Sequence, residues 1–348
     1  DAAGEGGGAI FTAGSLTITD GSLESNSVSG AAGNGGAIFV ADGGSLTATG
    51  TSFTSNSAKR AGGALEVSAN STVQLTDVSM TDNLAGTNTD GVITGAPGNG
   101  GAIHTTGGTT SINGGFFTDN TAAREGGALW NNGPATMTIA ASEAGGTSIT
   151  ANSALGGLST EDDAVKTTRG GGGVFNRGTM TIADAIIDGN DASGELGNGG
   201  GVMNIIVPDS TDPADLSIAN SSILNNTANR AGGGIENQGG GSITITTSAI
   251  ENNAVGTAPG NGGGLHSAGG SITITGDPDA TPTPVLSTIT GNTAGSEGAG
   301  LWASGNLTVS DTTIDANIAS GDAADNGGGG IFMNGASSVL VISDSIIT

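Results

Sequence analysis

A short glycine block recurs along the chain, and the residue after it carries the strongest chemical signal in the sequence. The block reads Gly-Gly/Ala-Ala/Gly-aliphatic and occurs eleven times. The residue that follows it includes both tryptophans, both histidines and four of the seven phenylalanines. We call these eleven positions the outer column: Phe11, Phe39, Glu66, His104, Trp130, Phe175, Met203, Glu236, His266, Trp302 and Phe332.

Flat rings spaced along an elongated surface suit stacking on sugar faces or docking of a partner protein. The position before the column is always Ile, Leu or Val, so strand alternation predicts that the column points outward. The candidate binding residues are Phe11, Phe39, His104, Trp130, Phe175, Met203, His266, Trp302 and Phe332. The alternative is local packing, in which turns fold over the rings or the rings stack on each other. Glu66 and Glu236 are expected to face outward as well, because a carboxylate is costly in a core.

Catalysis has little support in the residue types. The basic residues are only Lys59, Arg60, Arg124, Lys166, Arg169, Arg177 and Arg230. A net charge of −25 repels an anionic polymer, and a glycosidase needs two carboxylates a defined distance apart. His104 and His266 lie five coils apart in the repeat and cannot form one site. The sequence therefore predicts no enzyme and no catalytic residue.

Metal and cofactor sites are equally sparse. Glu161, Asp162 and Asp163 form one acidic cluster, and its oxygen ligands suit weak Ca²⁺ binding. The chain has no cysteine, which excludes disulfides and thiolate metal sites. No other cofactor is expected.

These residues are positioned by a repeat. A large apolar residue, two further residues and then Asn follow each of the first ten blocks, as in Phe53-Thr-Ser-Asn56. Each repeat holds three short strand-like pieces separated by Gly, Asn and Asp turns, and helical periodicity is absent. The sequence therefore predicts an all-β fold: a single-stranded, right-handed parallel β-helix of about eleven coils with three short strands per coil.

The recurring glycines and asparagines are predicted to be structural. A turn that stacks on an identical turn leaves little room for a Cβ and favours glycine at positive φ. Asparagine also suits a left-handed turn position, and its amide can bond to the next Asn in a ladder. The predicted turn asparagines are Asn26, Asn56, Asn83, Asn120, Asn152, Asn190, Asn226, Asn253, Asn292 and Asn317. A second run is Asn131, Asn176, Asn204 and Asn237.

One continuous solenoid is expected over residues 1–348, with loop insertions at 84–99, 153–170, 204–215 and 276–286. Neither end shows a capping helix, so we expect a longer chain or identical units that stack end to end. A glycan or a surface protein is the other expected partner. The acidic balance disfavours nucleic acid, and no apolar stretch is long enough for a membrane-spanning helix.

A second outward column lies on the middle strand of several repeats. Its Thr-x-Thr pairs are Thr17/Thr19, Thr47/Thr49, Thr136/Thr138, Thr179/Thr181, Thr244/Thr246 and Thr273/Thr275. Regular arrays of this kind resemble those of ice-binding proteins, which makes ice binding a remote alternative. Thr is also simply a good residue for an exposed strand.

The glycine block and the apolar-x-x-Asn motif that follows it resemble the repeats of the chlamydial polymorphic outer-membrane proteins, which are autotransporter passengers. Five blocks, at 7–10, 35–38, 62–65, 100–103 and 126–129, match the Gly-Gly-Ala-Ile/Leu motif strictly, and Phe53/Asn56 and Phe117/Asn120 match Phe-x-x-Asn. The resemblance implies a β-helix exposed at a bacterial cell surface with a role in adhesion. Together with the residue evidence it predicts a non-catalytic extracellular adhesin stalk or surface-fibre subunit. The alternative is a carbohydrate-binding or polysaccharide-degrading β-helix that uses the outer column.

Overall fold

The structure, a computed structural model, describes residues 6–89, 92–94, 97–156, 168–206, 214–257, 259–322 and 327–348. Over these residues the chain has no helix, and its strands form four parallel sheets and one short antiparallel pair. Each strand in a parallel sheet pairs with the equivalent strand one coil further along the chain. This architecture is a parallel β-helix of eleven coils, so the predicted fold class is confirmed.

The four sheets run along the whole rod. Sheet 1 consists of Ile10–Thr12, Ile38–Val40, Leu65–Val67, Ile103–Thr105, Leu129–Asn131, Val174–Asn176, Val202–Ile205, Ile235–Gln238, Leu265–Ala268, Leu301–Ala303 and Ile331–Met333. Sheet 2 consists of Ser15–Thr19, Ser45–Thr49, Thr72–Thr76, Thr109–Asn113, Thr136–Ala140, Thr179–Ala183, Asp215–Ala219, Ser242–Thr246, Ser271–Thr275, Asn306–Ser310 and Leu340–Ser343. Sheet 3 consists of Ser22–Glu24, Ser52–Thr54, Ser79–Thr81, Gly115–Thr118, Thr147–Thr150, Ala185–Asp188, Ser222–Leu224, Ala249–Glu251, Ser287–Thr290, Thr312–Asp315 and Ile346–Ile347. Sheet 4 consists of Ser27–Val28, Ser57–Ala58, Leu84–Ala85, Thr121–Ala122, Ser153–Ala154, Asp191–Ala192, Thr227–Ala228, Ala254–Val255, Thr293–Ala294 and Ile318–Ala319.

Sheet 4 corrects the prediction of three strands per coil. Its strands are two residues long and follow directly after the turn asparagine, as Thr121–Ala122 follows Asn120. Two residues are too few to show the alternation of apolar and polar side chains that identifies a strand in a sequence.

The core is one coil wide and is built from stacked aliphatic and aromatic side chains. In the five-residue strands of sheet 2 the second and fourth residues point inward, so that Val73 and Leu75 are fully buried while Thr72 is exposed. In sheet 3 the inward residues Phe53, Met80 and Phe117 pair in register along the axis. Every coil thus removes a few apolar side chains from water, at roughly 25 cal/mol per Å² buried.

The turn asparagines form a continuous buried ladder, as predicted. The Nδ2 and main-chain N–H groups of Asn120 both donate to Oδ1 of Asn152 at 2.9 Å, and Nδ2 also donates to the Met80 carbonyl at 2.9 Å. The same pair of bonds to the next Oδ1 links all ten predicted asparagines, from Asn26 to Asn317. The ladder satisfies main-chain groups that sheet pairing leaves without partners.

The second run of asparagines also forms a ladder. Asn131 Nδ2 donates to Asn176 Oδ1 at 2.8 Å, and the next two steps reach Asn204 at 2.7 Å and Asn237 at 3.0 Å. Asn237 Nδ2 then donates to Ser267 Oγ at 3.0 Å.

The left-handed backbone conformation falls on a different residue than expected. The first glycine of all eleven blocks has positive φ, as predicted. The turn asparagines do not; the residue before them does, for example Ser55 at φ 54°, Asp119 at 56° and Asn252 at 55°. Because the asparagine side chain is directed into the coil to join the ladder, the chain turns one residue earlier.

The insertions leave the sheets in register. The insertion at 84–99 carries the antiparallel pair Thr87–Thr89 and Val92–Thr94. Within 276–286, Asp277 bridges Val285. Most of 153–170 and of 204–215 lies outside the described residues.

Candidate functional site

The outer column forms one continuous register on sheet 1. Each column residue pairs with the next, from Phe11 opposite Phe39 to Trp302 opposite Phe332. Ring stacking joins five of these pairs, including His104 on Trp130 with centroids 4.3 Å apart and Trp130 on Phe175 at 5.9 Å.

The column is buried along most of its length, so the prediction of an exposed stripe is wrong. Seven of the nine proposed binding residues are at most 9% exposed: Phe39, His104, Trp130, Phe175, Met203, His266 and Trp302. Phe11 is 56% exposed and Phe332 is intermediate. The turn comes close to the column at Gly126, where an added Cβ would lie 3.2 Å from the Trp130 Cβ. The geometry instead agrees with the alternative interpretation, local packing in which the rings stack on each other.

The two column glutamates are also buried, contrary to expectation, and each is paired with a histidine. Glu66 Oε2 lies 2.9 Å from His104 Nδ1, and Glu66 also accepts a hydrogen bond from Thr106 Oγ1 at 2.6 Å. Glu236 Oε2 lies 2.9 Å from His266 Nδ1. A buried carboxylate is tolerated here because its neighbour in the next coil provides a charged or hydrogen-bonding partner.

A further glutamate holds each tryptophan. Trp130 Nε1 donates to Glu125 Oε2 at 3.1 Å, and Trp302 Nε1 donates to Glu297 Oε2 at 2.9 Å. Glu125 also pairs with Arg169. We call Glu66, His104, Glu125 and Trp130 the first cluster, and Glu236, His266, Glu297 and Trp302 the second cluster.

The two clusters are copies of one arrangement, five coils apart. The segments that build them match: 60–66 reads RAGGALE and 230–236 reads RAGGGIE, while 97–104 reads PGNGGAIH and 259–266 reads PGNGGGLH. At about 4.8 Å per coil the copies are about 24 Å apart on one face of the rod. His104 and His266 therefore belong to separate sites, as predicted. Glu125 and Glu297 were not among the predicted site residues. The feature that could have identified them is the Glu at the start of the matching segments 125–130 and 297–302.

The electrostatics of the second cluster are governed by burial. Desolvation raises the pKa of Glu236 above its usual value of 4.5, while His266 and Arg230 act in the opposite direction. A carboxylate removed from water ionises less readily, and these two partners compensate only in part.

A groove opens beside the first cluster. It has a volume of about 540 Å³, within the ordinary range of ligand sites. Its charged and ionisable lining is Arg60, Glu66, His104, Glu125, Arg169 and Arg177. The Arg177 guanidinium lies 5.6 Å from the centroid of the Trp130 ring, a cation–π distance.

The chemistry available here is binding and orientation. A carboxylate at Nδ1 fixes the imidazole of His104 and its tautomer, as in many catalytic and metal sites. Thr106 Oγ1 lies 3.5 Å from His104 Nδ1, but this hydroxyl donates to Glu66 Oε1 at 2.6 Å, so its proton is directed to the carboxylate and not to the imidazole. In the described part of the chain no group of three His, Asp or Glu side chains is arranged to hold a metal ion. The predicted Ca²⁺ ligands Glu161, Asp162 and Asp163 lie outside the described residues.

The Thr-x-Thr pairs face outward but do not form one array. Thr17, Thr47, Thr138, Thr181, Thr244 and Thr273 share one register position on sheet 2. Gln74, Ser111 and Ser217 interrupt that line. Thr136 and Thr179 lie two residues before it, whereas Thr19 lies two residues after it. The pairs therefore fall in two offset registers, and the line that they share is interrupted.

Comparisons with protein-family models, with curated proteins and with solved structures find no match to this chain. No helix among the described residues is long and apolar enough to cross a membrane.

Proposed function

We propose that this protein is a non-catalytic extracellular β-solenoid at a bacterial cell surface, acting as an adhesin stalk or a surface-fibre subunit. The observation that carries the proposal is the unbroken register: three sheets run through eleven coils and a buried asparagine ladder joins ten of them. Main-chain hydrogen bonds hold each inner coil to both neighbours, which gives a linear, quasi-one-dimensional structure suited to spacing and display.

Composition supports the same role. The chain carries a net charge of −25 and no cysteine, so it is highly soluble and independent of the redox state of its surroundings. The resemblance of its paired motifs to chlamydial autotransporter passengers favours surface exposure and adhesion.

Immuno-electron microscopy of the native source, with an antibody raised against residues 6–348, tests this proposal. We expect label on stalks or fibres at the cell surface. Label confined to the cell interior, or only compact isolated particles, would contradict it.

Carbohydrate recognition is the second candidate, and the groove beside the first cluster favours it. The buried rings argue against stacking along a whole stripe, so recognition would be local. A glycan array compares the wild type with the double variant Trp130→Ala/Trp302→Ala: unchanged glycan binding excludes a role for the tryptophans. Release of reducing sugar from a bound glycan would instead indicate an enzyme.

Ice binding, the remote alternative, predicts that the wild type inhibits ice recrystallisation. No inhibition by the wild type excludes it.

A further inference from the structure

The groove beside the first cluster concentrates positive charge in a strongly acidic chain. Three of the seven basic residues of the sequence, Arg60, Arg169 and Arg177, line this single groove. Among the described residues the groove is lined by two carboxylates: Glu66, which contacts His104, and Glu125, which pairs with Arg169. Three arginines thus stand against two glutamates in the described lining, in contrast to the acidic balance of the whole chain.

The remaining lining combines the apolar residues Phe39, Ala61 and Pro97 with amides and hydroxyls. Asn34, Asn99 and Asn132 contribute amides, and Ser68 and Thr106 contribute hydroxyls. The faces of Trp130 are covered by His104 and Phe175, so the ring is not free to stack on a ligand. Recognition in this groove consequently depends on hydrogen bonds and charge.

An unsatisfied acceptor lies in the same wall. Oδ1 of Asn99 is buried and has no hydrogen-bond partner among the described residues, although Asn99 is 6% exposed. The equivalent atom of the second copy, Asn261 Oδ1, shares this property. Because both copies share it, this feature belongs to the turn of the repeat and does not by itself select a ligand.

We infer that this groove binds a sugar acid, a polyhydroxylated ring that carries one carboxylate. Arginine forks match carboxylates in two parallel hydrogen bonds, and the amides and hydroxyls match ring hydroxyls. A volume of about 540 Å³ is far larger than an inorganic anion needs and accommodates one or two sugar units. This site goes beyond the structural role proposed above and does not depend on it.

The overall negative charge does not prevent such binding. At physiological ionic strength charges are screened over about 8 Å, so the arginines of the groove dominate the local potential. A long anionic polymer would still meet repulsion along the acidic rod. The groove therefore favours a terminal or short sugar acid over the interior of a polyanion.

The second cluster provides a natural control. It keeps Glu236, His266, Trp302 and Arg230, but Asn334 stands where the first copy has Arg177. Asn326 takes the place of Arg169 in the sequence and lies outside the described residues. With fewer arginines, we expect the second copy to bind the same ligand much more weakly.

The two tryptophans report on the two copies separately. In the ¹⁵N-labelled protein each indole N–H gives one cross-peak, and Trp302→Phe assigns them. Titration with D-glucuronate should shift the Trp130 indole peak saturably and leave the Trp302 peak in place. Titration with D-glucose, the neutral match, should shift neither. A Trp130 response of equal size to glucose, or no saturable response to millimolar glucuronate, overturns the inference.

Paired arginine variants locate the site. Arg60→Gln should weaken glucuronate binding about tenfold or more, because a charge-assisted hydrogen bond is lost. Arg230→Gln removes the equivalent arginine five coils away and should change the affinity less than about twofold, as expected for independent, distant sites. If Arg60→Gln does not fold, as judged by circular dichroism, Arg177→Gln takes its place. Equal effects of the variants in the two copies would refute the assignment.

Discussion

His104 Nδ1 lies 2.9 Å from a carboxylate oxygen of Glu66, and the two side chains come from adjacent coils that are 38 residues apart in the sequence. The same contact at 2.9 Å joins His266 to Glu236 five coils further along. Both pairs are covered by turns and stack under a tryptophan. The buried Glu–His–Trp arrangement thus recurs on one face of the rod, and it is the best-defined polar site of the described chain.

The buried Glu236 should make stability depend on pH. Burial raises the pKa of Glu236 above 4.5, so the folded chain holds this proton more tightly than the unfolded chain does. The contribution to the free energy of unfolding is greatest below pH 4.5, falls as the pH rises to the folded-state pKa, and is constant above it. Glu236→Gln removes this dependence, so its stability relative to wild type should improve as the pH rises through that window.

Urea denaturation of both proteins between about pH 4 and pH 8 measures this difference. Glu24→Gln, at an exposed side chain, controls for the loss of one charge. Parallel stability curves for wild type and Glu236→Gln would show that Glu236 is not the responsible group.

The asparagine ladder should be a major source of stability. Asn120→Ala removes the acceptor of two hydrogen bonds from Asn83 and the donor to the Met80 carbonyl, all in a fully buried site. We expect a loss of about 3 kcal/mol or more in the free energy of unfolding, because the groups left behind are unsatisfied. Asn229→Ala, which removes a surface bond to the Glu195 carbonyl, should cost about 1 kcal/mol or less. Chemical denaturation compares them, and similar losses would contradict a special role for the ladder.

Alanine substitutions at three glycines distinguish the cost of a steric clash from the cost of an unfavourable backbone conformation. A Cβ at Gly63 would lie 2.0 Å from the Gly101 carbonyl oxygen of the next coil, so Gly63→Ala must push coils apart and should prevent or severely weaken folding. Gly43 has φ 74° and open space around it, so Gly43→Ala should cost about 1–2 kcal/mol. Gly14 has neither constraint, and Gly14→Ala should be neutral or stabilise by up to about 1 kcal/mol. Melting temperatures in any other order would mean that coil stacking is looser than the structure shows.

The rings of the outer column should act mainly in packing. Trp130 is buried between His104 and Phe175, so Trp130→Ala should cost about 3–5 kcal/mol. Phe11 is 56% exposed and stacks only on Phe39, so Phe11→Ala should cost about 1 kcal/mol or less. Thermal unfolding measures both. A Trp130→Ala variant as stable as the wild type would show that this ring contributes little to packing.

The sequence by itself determined the parallel β-helix, its eleven coils and the asparagine ladder. Each of these follows from local chemistry that repeats: glycine where a turn allows no Cβ, Asn where an amide bonds to its copy, and alternation in strands such as Ser271–Thr275. A period repeated eleven times averages out the ambiguity of any single segment.

Only the tertiary structure decided what covers the outer column and which side chains meet there. Alternation shows that Trp130 leaves the sheet on its outer face, but burial depends on how the turn near Gly126 folds back over it. Likewise, Glu66 and His104 become partners because their strands pair in register. The insertion between them, which carries an antiparallel strand pair, lengthens the loop without shifting that register. Register between coils is a long-range property, and it converts residues of separate repeats into one site.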